Sequence, residues 1–289
     1  MTISNPSLRH NLENVLKFGR LNKQERLKQA PFKTIARFVG ARALEALGVT
    51  IPMTAKVFWG EKMRVAFPEC VSNLLLYQNY VEEGVSSFLV DQLEPGHTFI
   101  DCGAHIGYHS RLARRVVCAE GSVHAFEPTP STFNVLQKNC QSYHNIYLNQ
   151  EGLWSGVGFM KLQDYGLGQS ISNTLLRDNA MQKELGNKAR EIKVPITSID
   201  TYCQNSGITP HMIKIDAEGA ENEIIKGGSN TIERARPKII MEFNRTDAHL
   251  AAATTLLQKG YKIYQYKEGQ FTACDLNQID ENDIFFLHE

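Results

Sequence analysis

The chain has 289 residues, of which 42% are hydrophobic and 21% are charged, and its formal net charge is zero. This composition fits one compact α/β domain with an appendage and excludes a disordered chain, while the balanced charge argues against sequence-independent nucleic-acid binding. The six cysteines form no C-x-x-C pair, and neither a leader pattern nor an apolar run of roughly 18 residues stands out, so we expect a soluble, cytoplasmic protein.

The N-terminal segment is basic and has helical periodicity. Apolar and basic residues alternate at helical spacing over residues 7–48, and Pro31 predicts a break between two helices. Residues 1–64 contain 12 Lys or Arg against 4 Asp or Glu. We interpret residues 1–55 as a helical appendage and residues 56–289 as the main domain. A solvated face docked on an acidic domain, a basic cap over an anionic acceptor and a membrane-surface contact all fit this charge.

Seven strands are predicted for a central sheet, after a short hairpin at residues 57–59 and 63–67. Helices separate the first five strands, which predicts a mostly parallel sheet with helices on both faces and a ligand crevice at the carboxyl ends of the strands. The last two strands lack an intervening helix and should form an antiparallel hairpin. The strand candidates are residues 98–102, 122–126, 146–149, 211–216, 238–243, 262–266 and 284–287.

The most informative motif connects the first two strands of the predicted sheet. Gly103 and Gly107 make a tight turn, and Glu127 ends the following strand, where a carboxylate can bind ribose hydroxyls. The G-x-G-x-x-G spacing of dinucleotide folds is missing. Asp101, just before the turn, would repel a diphosphate but attract an ammonium or a sulfonium. S-adenosylmethionine carries both groups, so we expect this cofactor.

Four segments resemble motifs of the FkbM-type S-adenosylmethionine-dependent methyltransferases, and the resemblance extends over about residues 56–289. It implies a class I Rossmann-like fold and methylation of a hydroxyl on a small-molecule sugar or polyketide-type natural product. His105 departs from the family, which more often carries Asn there. The segments are Asp101-Cys-Gly-Ala-His-Ile-Gly-Tyr108, Ala125-Phe-Glu-Pro128, Ile213-Lys-Ile-Asp-Ala-Glu-Gly-Ala-Glu221 and Pro237-Lys-Ile-Ile-Met-Glu242.

The position of the acidic residues at the predicted strand ends indicates how the cofactor is held. Asp101 would bind the methionine amino group and Glu127 the ribose hydroxyls, and His105, in place of the family's Asn, would contact the methionine carboxylate. The stretch from Asn149 to Leu153 would flank the adenine, although Asn149 and Glu151 fit turn residues equally well. The expected cofactor contacts are Asp101, Gly103, His105, Gly107, Glu127, Glu151, Gly152 and Asp216.

A hydroxyl acceptor must lose its proton during methyl transfer. Asp216, at the end of the fourth predicted strand, is the first candidate base, with Lys214 and Glu242 at the same opening and His249 a further candidate. Asp216, Glu242 and Asn244 could also bind Mg²⁺, but ordinary acidic pockets supply the same oxygens, so a required metal is not favoured.

Several alternatives stay open at this stage. Residues 164–193 fit either an acceptor lid or a surface insertion. Methylation of a nitrogen or a carboxylate needs no strong base at Asp216. A nicotinamide oxidoreductase is disfavoured by the missing third glycine. A non-catalytic cofactor-binding module, held at a membrane surface by the basic N-terminus, is the remaining alternative.

Overall fold

The computed structural model describes residues 6–168 and 190–288. Its strands are β1 (Ile51–Lys56), β2 (Lys62–Phe67), β3 (Thr98–Cys102), β4 (Ser122–Phe126), β5 (Ile146–Asn149), β6 (Gly152–Leu153), β7 (Gly158–Asp164), β8 (Arg190–Thr197), β9 (Met212–Ile215), β10 (Lys238–Glu242), β11 (Tyr261–Lys267), β12 (Gln270–Ala273) and β13 (Asp283–His288). Its helices are α1 (Pro6–Gly19), α2 (Lys23–Gln29), α3 (Pro31–Leu47), α4 (Cys70–Gln78), α5 (Glu83–Gln92), α6 (Tyr108–Val117), α7 (Pro130–Cys140), α8 (Ile199–Ser206), α9 (Glu221–Gly227), α10 (Ser229–Ala235) and α11 (Asp247–Gln258).

Within these described ranges, eight strands form the central sheet in the order β12-β11-β13-β10-β9-β3-β4-β5. The strands from β10 to β5 pair in parallel, and β13 runs antiparallel to both of its neighbours. Parallel neighbours need crossover connections, which the helices between them supply. The structure therefore confirms the predicted α/β fold, with a mostly parallel Rossmann-like sheet and an antiparallel C-terminal pair.

Successive residues of the sheet point into two separate apolar layers. Phe99 packs in the layer that includes α1, α5 and α6, whereas Ile100 packs in the layer that includes α8 to α11. This alternation is the period of two expected for a strand that is buried on both faces. The sheet is therefore covered on both faces, which leaves its carboxyl edge as the place where a ligand can enter.

Some elements differ from the predictions. β12 is an additional edge strand, and the tight turn joins β11 to β12 rather than to β13. The first hairpin pairs β1 with β2, so that residues 57–59 form its turn instead of its first strand. A second sheet, β6-β8-β7, was not predicted. The predicted lid at 164–193 lies largely outside the described residues.

The N-terminal segment contains three helices rather than the predicted two. Asn22 and Glu25 form a reciprocal capping box that begins α2, and Pro31 is the first residue of α3. This additional helix start explains the difference. No helix in the described part of the chain is both long and apolar enough to cross a lipid bilayer.

Helix α1 packs into the main core. Its Leu8, Leu12 and Leu16 are buried in the same apolar layer as β3. Arg9 forms an ion pair with Asp91 of α5 at 2.8 Å, which fits a helical face docked on an acidic surface. Helix α3, by contrast, leaves several of its apolar side chains exposed to solvent. The boundary at residue 55 and the contact with a membrane surface remain predictions.

Candidate functional site

A cavity of about 380 Å³ opens at the carboxyl ends of β3, β4, β9 and β10. This is the edge at which open α/β sheets bind their ligands. Ten of the eleven predicted site residues, all except His249, fall on the strand ends or turns at this edge, and seven of them line the cavity directly. The seven are Gly103, His105, Glu127, Gly152, Lys214, Asp216 and Glu242.

The glycine turn after β3 is fixed against both neighbouring strands. The Gly103 N–H donates to the Phe126 carbonyl at 3.0 Å, and the Asp216 N–H donates to the Cys102 carbonyl at 3.2 Å. Gly103 has φ +76°, and a Cβ added there would lie 1.8 Å from the carbonyl oxygen of Asp216. Only glycine fits at this position. The turn and Asp216 are therefore in direct backbone contact.

The backbone conformation of His105 explains how His can replace the Asn that the family more often carries there. His105 lies in the left-handed region with φ +52°, a conformation that His and Asn both tolerate better than most residues. Its imidazole Nε2 lies 4.0 Å from a carboxylate oxygen of Glu69 and lines the cavity. Gly107 has φ +89° and packs against Leu136 and Cys140. Gly107 thus shapes the turn without lining the cavity.

Glu127 is held by two backbone donors at the end of β4. One of its carboxylate oxygens accepts from the His105 N–H at 3.2 Å, and the other accepts from the Thr129 N–H at 2.9 Å. Burial raises the pKa of Glu127, while His105 and these hydrogen bonds oppose that rise. Each oxygen retains accepting capacity toward the cavity. A vicinal diol is a suitable partner for such a fixed, two-oxygen acceptor.

Asp101 is completely buried and does not line the cavity. The Ser110 hydroxyl donates to its Oδ2 at 2.5 Å, and its Oδ1 has no hydrogen-bond partner among the described residues. Burial raises the pKa of Asp101, and the ammonium of Lys214, which faces it across the β3–β9 pair, lowers it. Asp101 therefore lies beneath the turn, opposite Lys214 in the β3–β9 pair.

The predicted adenine segment is placed only in part. Gly152 lines the cavity, whereas Glu151 is half-buried beside it. Burial raises the pKa of the Glu151 carboxyl. Asn149 donates to the Ala125 carbonyl at 3.3 Å, so it stabilises the strand end. The turn interpretation fits Asn149, and the adenine contact stays a prediction for Glu151 and Gly152.

Lys214 and Asp216 form an ion pair within the cavity. The Lys214 Nζ donates to Asp216 Oδ2 at 2.6 Å, and the lysine side chain is 3% exposed against 29% for Asp216. Burial lowers the pKa of Lys214, but Asp216, Glu82 and Asp101 together raise it above its usual value. The lysine therefore stays an ammonium and holds the Asp216 carboxylate in one orientation.

Carboxyl groups surround Asp216 at the far end of the cavity. Burial raises the pKa of Glu82 to about 8 and that of Glu218 to about 9. Burial together with the charge of Asp216 raises the pKa values of Glu242 and Asp283 to about 7. Near neutral pH this group therefore contains both protonated and ionised carboxyls. It can donate and accept hydrogen bonds, as a polyhydroxylated ligand requires.

Sequence reasoning missed Glu82 and Asp283. Glu82 precedes α5 with φ +43°, and nothing in its neighbourhood marks it as a site residue. Asp283 is the first residue of β13 and pairs with Glu242. The start of an antiparallel strand lies at the same edge as the end of its parallel neighbour. The predicted antiparallel strand therefore carried a signal for Asp283.

His249 does not reach the cavity. It is 2% exposed, its Nδ1 lies 2.6 Å from Thr246 Oγ1, and its Nε2 lies 3.2 Å from Glu221 Oε2. The structure thus brings Lys214, Asp216 and Glu242 together but separates His249 from them. Among the candidate Mg²⁺ ligands, Asp216 and Glu242 each place a carboxylate oxygen within 4.8 Å of the other, and Glu218 places a third oxygen in the same group. Asn244 instead donates its amide N–H to Glu242 at 2.7 Å.

The residues present fit a nucleoside-bearing amino acid such as S-adenosylmethionine. The cavity volume lies within the roughly 300–1,000 Å³ of typical ligand sites. Glu127 presents a fixed diol acceptor at one end, and the acidic group around Asp216 complements a positive charge at the other. The glycine turn lies between these two ends.

Comparison with known proteins agrees with this geometry. A family model described as the methyltransferase FkbM domain matches residues 101–263, which is more than half of the chain. Hexuronic acid methyltransferase AglP of Haloferax volcanii is 24% identical over 204 residues, covering 70% of this chain and 78% of that protein. The 31-O-demethyl-FK506 methyltransferase FkbM of Streptomyces tacrolimicus is 22% identical over 225 residues, covering 69% and 84% respectively.

A solved structure, that of methyltransferase FkbM from Methylobacillus flagellatus KT, is also similar. It shares 18% identity with a TM-score of 0.47, and the match covers 75% of this chain and 52% of that one, so this chain spans about half of its length. The family match begins at Asp101 and includes the glycine turn, Glu127 and the Lys214–Asp216 pair. On this match, the chain belongs to the FkbM family of methyltransferases.

Proposed function

We propose that this methyltransferase transfers the methyl group of S-adenosylmethionine to a hydroxyl of a small molecule, either a sugar or a polyketide-type natural product. The family implies the cofactor. Two relatives support the acceptor class, since one is named for a hexuronic acid and the other for the 31-O position of FK506. The observation on which the proposal rests is the direct contact between the glycine turn and Asp216, within one cavity.

The cofactor end is formed by the turn and by Glu127. When bound, S-adenosylmethionine supplies a methyl group on a positively charged sulfonium. Glu127 would accept hydrogen bonds from the ribose hydroxyls, and His105 would contact the methionine carboxylate. Asp101 would act from beneath the turn on the methionine ammonium. Such fixed contacts align donor and acceptor, and alignment can contribute roughly 7–11 kcal/mol to catalysis in favourable cases.

The acceptor end is formed by Asp216 and the carboxyls around it. One oxygen of Asp216 accepts from Lys214, so the second oxygen is left to receive the proton of an acceptor hydroxyl. A base placed in this way can contribute a factor of about 10² to 10⁴. Lys214 would position that base, and Glu242 would bind a neighbouring hydroxyl of the acceptor.

The acidic lining also bears on the alternative acceptors. An ionised carboxylate acceptor would meet the like charge of Asp216, which disfavours methyl-ester formation. An amine acceptor would be attracted to the same charge, so N-methylation is the alternative that the assay has to separate. Methylation of nitrogen needs a neutral amine and would not depend on Asp216 as a base.

The test is an acceptor screen with the purified full chain and methyl-¹³C-labelled S-adenosylmethionine. The panel contains neutral glycosides, polyketide secondary alcohols, amines and carboxylic acids, and ¹³C spectra distinguish O-methyl ethers, N-methyl groups and methyl esters. We expect O-methyl ethers. Products restricted to N-methyl groups or esters would overturn the proposal.

Two variants locate the cofactor and the base. Glu127→Gln should weaken binding of S-adenosylhomocysteine about 10- to 100-fold, because a charge-assisted pair of hydrogen bonds is worth about 1.5–3 kcal/mol. The exposed Glu120→Gln serves as the matched control. Asp216→Asn should retain this binding but lower the rate of methyl transfer about 10² to 10⁴-fold. An undiminished rate would remove the base role.

A further inference from the structure

Three side chains that could ligate a metal converge behind Glu242, on the side away from the cavity. They are Glu242 itself, Glu221 at the start of α9 and His249 on α11, and one ligand-type atom of each lies within 4.8 Å of the other two. Glu221 Oε2 and His249 Nε2 are 3.2 Å apart. Glu221 is 0% and His249 2% exposed, so this is a buried cluster and not a surface acidic patch.

In each side chain, one heteroatom is already engaged. Glu221 Oε1 accepts from the backbone N–H groups of Ala217 and Gly219 at 3.0 and 3.3 Å. Glu242 Oε1 accepts from the Asn244 amide at 2.7 Å. His249 Nδ1 bonds to the hydroxyl of Thr246 at 2.6 Å. These outer contacts fix the orientation of all three groups, as the partners of metal ligands commonly do.

The other heteroatom of each side chain is buried and has no hydrogen-bond partner within residues 6–168 and 190–288. These atoms are Glu221 Oε2, Glu242 Oε2 and His249 Nε2. The two atoms at 3.2 Å are close enough for an ion pair, but their orientation does not meet hydrogen-bond geometry. Buried acceptors without a partner are costly. A cation bound to all three atoms would remove this cost.

We propose that Glu221, Glu242 and His249 bind a divalent first-row transition-metal ion. Two carboxylate oxygens and one imidazole nitrogen suit Mn²⁺, Fe²⁺ or Zn²⁺, whereas Mg²⁺ and Ca²⁺ prefer oxygen ligands throughout. The site differs from the Asp216–Glu218–Glu242 group, which lines the cavity and contains only carboxylates. It is also independent of which acceptor the enzyme methylates.

Glu242 connects the proposed metal site to the cavity. Its carboxyl lines the cavity, whereas Glu221 and His249 do not. A bound cation would therefore hold Glu242 in one position from behind, beside Asp216. In this role Glu221 and His249 act on the acceptor end only through Glu242, as positioning residues.

The experiment uses the full chain after treatment with EDTA and desalting. Mn²⁺ is titrated, and free Mn²⁺ is counted by electron paramagnetic resonance. We expect one Mn²⁺ per chain, displaced by Zn²⁺, and ¹⁴N hyperfine coupling from the imidazole in the bound spectrum. Wild-type protein that is folded but binds neither ion, or that binds Mn²⁺ without ¹⁴N coupling, would overturn the proposal.

Variants then assign the ligands. His249→Ala and Glu242→Gln should each weaken Mn²⁺ binding at least about tenfold, because each removes one ligand. The controls are Glu223→Gln, on the same helix as Glu221, and the exposed His144→Ala. Folding of each variant is checked by circular dichroism and by binding of S-adenosylhomocysteine. Undiminished Mn²⁺ affinity in both ligand variants would contradict the assignment, whatever the methyltransferase assay shows.

Discussion

Replacement of Gly103 by Ala tests the contact between the glycine turn and the Asp216 backbone, which joins the proposed cofactor and acceptor ends of the cavity. Gly103 has φ +76°, and its new Cβ would lie 1.8 Å from the Asp216 carbonyl oxygen. That oxygen belongs to the backbone at the end of β9, so it cannot move as a side chain would. Either the turn or the β9 end must shift.

Gly96 provides a matched control for the magnitude. It has φ +85°, but nothing lies within 4 Å of an added Cβ, so Gly96→Ala experiences only the left-handed strain of roughly 1–2 kcal/mol. Gly103→Ala adds an overpacking cost of about 1–3 kcal/mol. The lower entropy of the unfolded Ala chain affects both variants equally and cancels in their comparison. Gly103→Ala should therefore be less stable than Gly96→Ala by about 1–3 kcal/mol.

The assay is urea unfolding of both variants and the wild type, with binding of S-adenosylhomocysteine measured by calorimetry. We expect cofactor binding to be lost or weakened at least about tenfold in Gly103→Ala and to be unchanged in Gly96→Ala, since a tenfold change requires only about 1.4 kcal/mol. If Gly103→Ala is as stable as Gly96→Ala and binds the ligand like the wild type, the close contact and the reasoning built on it are wrong.

Two further predictions concern stability. Leu12→Ala should lower the free energy of unfolding by about 2–5 kcal/mol, because Leu12 is fully buried. Leu47 is 73% exposed, so Leu47→Ala should change the free energy of unfolding by less than about 0.5 kcal/mol. Equal effects of the two substitutions in urea unfolding would show that α1 is not part of the core. For His124, burial lowers the pKa to about 4 from 6.5, so the unfolded chain takes up the proton first as the pH falls. Its stability contribution is complete above about pH 6.5 and is lost toward pH 4, by at most about 3 kcal/mol. The fall should be smaller in His124→Gln, and an identical pH slope in the two proteins would contradict this prediction.

The sequence predicted the sheet well because its strands are short apolar runs separated by helices. All seven predicted strands lie in the central sheet, and the carboxyl-end rule placed Glu127, Asp216 and Glu242 at one edge. The edge strand β12 was missed because its exposed residues carry no burial pattern. In the N-terminal segment, the burial of α1 was hard to predict, because its buried leucines are interspersed with basic residues.

The site was predictable only where strand ends define it. Glu82 comes from a loop, and its place beside Lys214 depends on how α5 packs against the sheet. Spacing placed His249 just after the fifth predicted strand, but the Thr246 cap turns its ring toward Glu221. Side-chain direction depends on such caps and on tertiary packing. Periodicity in a single sequence does not contain that information.

Lys214 bears on which carboxyl of the proposed acceptor end would receive a proton. Burial lowers the pKa of Lys214, but Asp216 and other acidic groups nearby raise it above its usual value, so the lysine keeps its charge. The Lys214 ammonium lies 2.6 Å from Asp216 Oδ2 and engages that oxygen, while Asp216 as a residue lines the cavity. Glu218 and Glu82, whose pKa values are about 9 and 8, carry protons near neutral pH and are better donors than bases. We therefore propose that burial makes Glu218 and Glu82 hydrogen-bond donors, whereas Asp216, paired with Lys214 at 2.6 Å, is the candidate base.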